Sequence, residues 1–416
     1  MQTVKRVLLI EADVAAGEDL LTAAADLGLE AYVATHEELY ASYRPELRSK
    51  ITAPVFTDFR DPEAALAELA AFCRSTGIDA VVPCWEFLAP LATRLAAELG
   101  LPGHRDDLAD ACRNKQLMAE VFAAHGVPCP RTVVASDHPA LVRRIAEAGL
   151  AYPLVVKPAE NAASIGVSVV RSPEELPDAV RLARSQTHKH PHGIALDTTL
   201  LAQEYVDGDE FSVETITVEG AAHHVTLTEK FTAQGPSRAE LGHTVPAQLP
   251  PHLSAAVRTA VTGALAALGL RNGIAHTEVK IDPQGQPKII EVGARPPGDH
   301  IMRLVKEALG IDVARAYLQT TLGERPDLTP ARESAAAIRF VTAPQAGIIR
   351  WISPLPQGEH IIATVMAKLP GDEVGSPHDN MGRIGQIMLR ADTAAEVNTA
   401  AETALRSLTV EMATQW

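Results

Sequence analysis

Glu278 and Glu291 stand in two short alternating runs, HTEVKID and PKIIEV, on either side of Pro283-Gln284-Gly285-Gln286, a loop of turn-forming residues. If the runs pair as an antiparallel hairpin with Asp282 opposite Pro287, the residue numbers of every opposed pair have one sum, and Glu278 falls opposite Glu291. Like charges directly opposed destabilise a strand pair. A positive species therefore belongs between them. The competing reading is an exposed pair screened by Lys280 or Arg295. Period two along the second strand also sets Arg295 on the Glu291 face, provided the strand continues through Gly293.

Upstream, Lys157 ends the apolar strand PLVVK, and the small-residue loop PAENAASIG returns as a second strand. A Walker loop would put its lysine after the glycines and at a helix start, so that motif does not apply. A strand–loop–strand flap with backbone N–H groups, Ser164 and Ser168 can still wrap phosphates, with Lys157 as the point charge. Standing alone it would be a snorkelling lysine beside a surface hairpin. In QEYVDGDEF, the extended run Gln203-Glu204-Tyr205-Val206 can pair its backbone with the edge of a purine, and Glu210, beyond the Gly208 turn, can accept from ribose hydroxyls.

Taken in chain order, RNKQLM, YPLVVKPAENAASIGVSVV, LLAQEYVDGDEFSVE, HTEVKID and IIEVGARPPGD resemble the ATP-grasp superfamily and, within it, the amino-acid (dipeptide) ligases. The resemblance spans residues 1–325, and the tail is similar to the C-terminal domain that accompanies such ligases. It implies that Lys115 and Lys157 hold ATP phosphates under a closing flap at 160–168, which includes Ser164, Gly166 and Ser168. It further implies that Glu204, Tyr205 and Val206 hold adenine, that Glu210 holds the ribose, and that Arg295 meets the transferred phosphate and the reacting carboxylate. Glu278 and Glu291 would bind one or two Mg²⁺ ions, with Mn²⁺ able to substitute. That answers the repulsion in the hairpin, because Mg²⁺ is commonly held by one or two carboxylates together with substrate phosphates. Two carboxylates sharing one ion stand about 4 Å apart between nearest oxygens.

The implied reaction begins with attack of a carboxylate on the γ-phosphorus of ATP, giving an acyl phosphate and ADP, and ends with attack of an amine on the acyl carbon. A polar segment, EKFTAQGPSRAELGHTVPAQLP, carries His243, which would touch the amino acids or deprotonate the amine; the bland alternative is a solvated loop histidine. Two departures from the superfamily pattern stand out. Gly293 occupies the place of the usual asparagine two residues after the second metal glutamate, and the flap has one glycine, Gly166. Other readings are an ATP-grasp carboxylase or nucleotide-precursor ligase, and a non-catalytic ATP-binding regulator, against which both glutamates and Arg295 argue.

The elements that must position these residues form an α/β and α+β multidomain chain. Residues 1–112 alternate strand and helix (RVLLIEA, EAYVAT, PEAALAELAAFCRSTG, DAVVPC) as an open parallel unit without a G-x-G-x-x-G fingerprint. Residues 113–325 form the ATP-grasp domain, entered by a helix ending at Gly126 and carrying a lid over about 132–202. Residues 326–416 form a small α+β domain with a Gly-Arg-Ile-Gly turn at 382–385. Capping boxes are expected at Ser172/Glu175 and Thr393/Glu396. The excursion SQTHKHPHGIALDTT is expected to be mobile, with its histidines solvated.

Bulk properties agree. At 46% apolar and 21% charged the chain is an ordinary globular one. A net charge of −15 without a basic run excludes nucleic acid and anionic membrane as partners and leaves phosphates to local cations. The start lacks a signal-peptide core, so a cytoplasmic enzyme is expected, acting on a small carboxylate donor and amine acceptor, with pairing of two copies left open. The four cysteines show no C-x-x-C spacing and read as thiols without a role.

Overall fold

Four parallel strands, β1 (Arg6–Ile10), β2 (Glu30–Thr35), β3 (Ala53–Phe56) and β4 (Ala80–Pro83), open the computed structural model, in the order β3-β2-β1-β4. The structure describes residues 4–233, 239–375 and 380–413. β1 and β4 bury nearly every residue, as parallel strands covered on both faces do. One covering helix, Pro62–Thr76, is fixed at its start by the Asp61 carboxylate, which accepts from the Ala64 N–H, and at its end by left-handed Gly77. The helix Lys115–His125 ends at Gly126, as its sequence predicts, and Asn114 caps its start.

An antiparallel sheet follows. Its strands are β5 (Thr132–Ala135), β6 (Leu154–Pro158) and β7 (Ser168–Val170), then, after a small hairpin of β8 (His188–Lys189) and β9 (Ile194–Ala195), β10 (Leu200–Glu204). The order is β5-β10-β6-β7. The hairpin overturns one expectation. It is an arm laid against the N-terminal unit, where Ile194 and Leu196 join the core of Leu8, Ile10 and Phe59. His188 and His190 stay exposed, but His192 is only 2% exposed, with its Nε2 at 2.7 Å from a Glu11 carboxylate oxygen. Alternating Ile194 and Leu196 supply the apolar anchor, and the carboxylate pairs with Nε2 while Nδ1 stays buried without a partner, which composition alone cannot show.

The large sheet contains β11 (Glu210–Val218), β12 (Ala221–Thr232), β13 (Glu240–Val245), β14 (Gly273–Ile281), β15 (Pro287–Gly293) and β16 (Ala335–Thr342). After β17 (Gly347–Ile352) it gains β18 (Ile361–Met366) and, past β19 (Glu373–Val374), β20 (Arg383–Ala391), in the order β15-β14-β11-β12-β13-β16-β20-β18. β21 (Val410–Met412) closes a separate sheet, β19-β17-β21. Since β13 pairs with β16, the sheet runs unbroken across residue 325. A common core of the helices Ala15–Asp26, Ile301–Leu309 and Val313–Thr321 with β1 and β16 ties the N-terminal unit to it.

Local signals divide. Thr393 and Glu396 form the reciprocal capping box. Ser172 does not cap: Glu175 reaches past it to the Arg171 N–H, because the first turn is a tight 3₁₀ one. Gly382-Arg-Ile-Gly385 is no turn but the entry to β20, and Gly385 lets the neighbouring strand pass with the Val365 carbonyl at 2.7 Å from where a Cβ would sit. Gly208 turns at φ 116°, and an added Cβ would lie 2.0 Å from the Ile281 carbonyl. Gly208→Ala is therefore expected to lower the denaturant midpoint by the equivalent of about 1–3 kcal/mol, from overpacking against backbone and a forbidden φ. An unchanged midpoint in a urea titration would contradict this.

Candidate active site

The hairpin β14–β15 brings the two glutamates face to face by a route the sequence does not show. At the turn end Ile281 pairs with Pro287 and Val279 with Ile289, one residue out of the expected register. Asp282 is drawn into the turn, where its side chain accepts from the N–H groups of Gln284 and Gln286. A β-bulge at Ile290 then restores the count, so Glu278 sits opposite Glu291 and His276 opposite Gly293. Ile290 and Glu291 both line a cavity of about 580 Å³, while their neighbours Ile289 and Val292 face the core.

Each carboxylate holds its own lysine. Lys230 Nζ lies 2.6 Å from Glu278 and also within 3.0 Å of Glu210 and Glu240, and Lys115 Nζ lies 2.9 Å from Glu291. These cations, not Lys280 or Arg295, answer the repulsion in the protein without metal. Burial would raise the Glu278 carboxyl, but Lys230 and His276 hold it well below the carboxylate range. Burial opposes the charge on Lys115 too, and Glu291 outweighs it, so its pKa is raised. Arg295 opens into the same cavity, its Nε 2.5 Å from the buried carboxylate of Glu86 on the N-terminal unit. A Cβ on Gly293 would meet Glu86 Oε2 at 3.2 Å, so the carboxylate crowds the space over the residue that replaces the usual asparagine.

The same cavity is also lined by Val155, Lys157, Ser164, Glu204, Tyr205, Val206 and Glu210. Glu204 turns its carboxylate outward to Arg131, 3.8 Å away, and its backbone N–H donates to the Arg131 carbonyl. Gly166 and Ser168 do not line it: Gly166 packs against Pro158 and Ala183, and Ser168 starts β7. Lys157 is buried, and burial, reinforced by Lys115, pushes its pKa down to about 8 although Glu291 acts the other way. Phosphates bind the charged lysine, so ADP binding is expected to take up a proton and to weaken as pH rises through that value. Calorimetry in buffers of different ionisation enthalpy checks this, and Lys157→Met should flatten the profile. An equally steep profile in that variant would assign the proton elsewhere.

His243 is on a strand, not in a loop, and is buried with Nε2 at 2.9 Å from Asp299. Residues 234–238 of its polar segment lie outside the described residues. Glu240, His243 and Asp299 bring their ligand atoms within 4.8 Å of one another, but Lys230 and Arg383 already pair with the two carboxylates. His276, two residues before Glu278 on the same face, is held by buried Glu214 at 2.9 Å; burial lowers its pKa, and Glu214 more than reverses this, to about 9. Period two could have flagged His276. Nothing local flags Lys230, Glu86, Glu240, Asp299 or Arg383, which come from four separate stretches.

Lys157, the segment Glu204–Val206, the opposed carboxylates and a clamped arginine thus share one cavity. The chain matches the ATP-grasp N-terminal domain over residues 21–103, the ATP-grasp domain over 150–303 and the L-amino acid ligase C-terminal domain 2 over 339–413. It belongs to the ATP-grasp superfamily. This ATP-grasp chain is 26% identical over 291 residues to the alanine–anticapsin ligase of Bacillus subtilis, covering 65% of itself and 60% of that protein. It is 32% identical over 192 residues to the D-alanine–D-alanine ligase of Geobacter sulfurreducens, covering 44% of itself and 55% of that protein. The chain thus spans less than two thirds of either curated relative. In fold it superposes on an L-amino acid ligase from Bacillus licheniformis with a TM-score of 0.82 at 24% identity, over 100% of both chains. Among the described residues no helix is long and apolar enough to cross a membrane.

Proposed function

We propose that the protein is an ATP-dependent carboxylate–amine ligase that joins amino-acid-like substrates through an acyl phosphate, releasing ADP and phosphate. The observation that carries this reading is that Glu278, Glu291 and the Glu86-clamped Arg295 open into the same cavity as Lys157 and the segment Glu204–Val206. Opposed oxygen donors beside phosphate-binding lysines fit Mg²⁺, which prefers carboxylates combined with substrate phosphates. Glu278 and Glu291 would hold the ion, and it would supply neutralisation of the transferred phosphoryl group.

The chain's own residues do the rest. Lys115 and Lys157 hold the phosphates in line with the incoming carboxylate, which attacks the γ-phosphorus while the bond to ADP breaks. Arg295, kept planar and oriented by Glu86, faces the oxyanion that forms when the amine attacks the acyl carbon. His243 donates its Nε2–H to Asp299, which leaves Nδ1, buried without a hydrogen-bond partner, as the ring nitrogen that would take the amine's proton as phosphate leaves. Residues 160–165 cover the phosphates, which keeps water from the acyl phosphate.

The test is a screen of paired L-amino acids for ADP and phosphate release, with mass spectrometry of the products. An amide product supports the ligase. Phosphate release that depends on bicarbonate alone would favour a carboxylase, and nucleotide binding without turnover of any pair would favour a regulator.

A further inference from the structure

The arm of β8 and β9 reaches from the flap to the far wall of the cavity. Its root is tied to the flap: Asn161 donates to Gln186, the Asp197 N–H donates to Glu160, and the Asn161 carbonyl accepts from Lys115. Its tip grips the 85–87 turn from both sides, with the His192 ring 5.1 Å from the Trp85 ring and Lys189 Nζ 5.1 Å from the Phe87 centroid. Between those two aromatics sits Glu86, the clamp on Arg295. His192 also meets Glu11, which stands at φ 62° and accepts from the N–H groups of Ala12 and Asp13, shaping the turn that delivers Val14 and Ala15 to the cavity wall.

We infer that His192 is a positioning residue for the end of the cavity away from the nucleotide. By holding Trp85 and the Glu11 turn it fixes both the Glu86–Arg295 pair and the apolar wall of Trp85, Val14, Ala15 and Ile301. Two different parts of that end depend on one ring, and the ring belongs to the nucleotide-side flap. Naming that end the amino-acid subsite rests on the ligase reading; the positioning of Trp85 and the Glu11 turn by His192 does not.

The test uses the full chain with Trp351→Phe and Trp416→Phe, which leaves Trp85 as its single tryptophan. In ligand-free protein His192→Ala is expected to raise acrylamide quenching of Trp85 about twofold, since a packed ring is freed. In turnover with the pair found by the screen, the KM for the amino acid should rise about tenfold, the scale of one lost hydrogen bond to a charged group, while ADP affinity stays within about twofold. His192→Gln, whose amide can still donate to Glu11, should recover most of the KM. Should the alanine variant fail to fold, His192→Gln and Lys189→Met carry the test, both with smaller quenching changes in the same direction. Unchanged quenching across these variants would overturn the inference, as would equal losses of ADP and amino-acid affinity, which mean a merely structural role. If native protein forms no amide, the ligase reading falls, and Trp85 quenching still decides whether His192 holds the wall.

Discussion

EDTA, or Glu291→Gln in the presence of Mg²⁺, is expected to slow amide formation by about 10³-fold or more, the equivalent of about 4 kcal/mol of charge stabilisation at the transferred phosphoryl group. Chelation should leave the fold intact. Without metal, Glu278 already holds Lys230 at 2.6 Å and Glu291 holds Lys115 at 2.9 Å, so neither carboxylate is stranded in the buried site. The thermal midpoint in EDTA should match that in plain buffer while turnover disappears. On the proposed mechanism Lys115 and Lys230 would exchange these partners for phosphates when nucleotide and metal arrive together, which predicts synergy: ADP should bind more tightly with Mg²⁺ than without it. Turnover at full rate in EDTA would remove the paired carboxylates from the mechanism.

Arg295→Lys should cut kcat by about 10²–10³-fold while ADP affinity stays within about twofold. A lysine keeps the charge but not the planar fork that meets Glu86 with one edge and a developing oxyanion with another. The nucleotide end keeps Lys157 and the Glu204–Val206 wall, so binding there should survive. Glu86→Gln should act in the same direction and more weakly, since the amide still accepts from Nε. Loss of ADP affinity with kcat preserved would place Arg295 in nucleotide binding and leave the acyl-transfer step without its cation.

Much of the site is legible because it rides on regular elements. Lys157 at a strand end and the extended Gln203–Val206 run follow from period-two alternation and short loops, whereas the glutamates are opposed only because the bulge at Ile290 offsets a one-residue slip at the turn. His276 shares that legibility, being two residues from Glu278. What stays hidden is held by topology. Lys230 reaches Glu278 because β11 lies between β12 and β14, and Glu86 reaches Arg295 because a shared core presses the N-terminal unit onto the sheet. His243 reads as a loop residue because the strand Glu240–Val245 is flanked by polar sequence, yet strand pairing with β12 and β16 buries it. The arm misleads for a similar reason: its polar composition describes two exposed histidines and conceals the third.

Ile290 changes what the hairpin tolerates. Ile289 faces the core and Glu291 the cavity, with Ile290 looped out between them, so the chain could be edited at this one place without scrambling the code. Excising one of the two adjacent isoleucines leaves Glu291 next after the other, still opposite Glu278; excising Val292 inverts the inside-outside parity of the residues beyond it. The pair of carboxylates is thus buffered against a deletion that would ruin an ordinary ladder. Nothing in the pairing of Glu278 and Glu291 requires the spare residue. Ile290 offers an extra apolar surface to the cavity, so a hairpin shortened there should keep Glu278 opposite Glu291 while losing that surface.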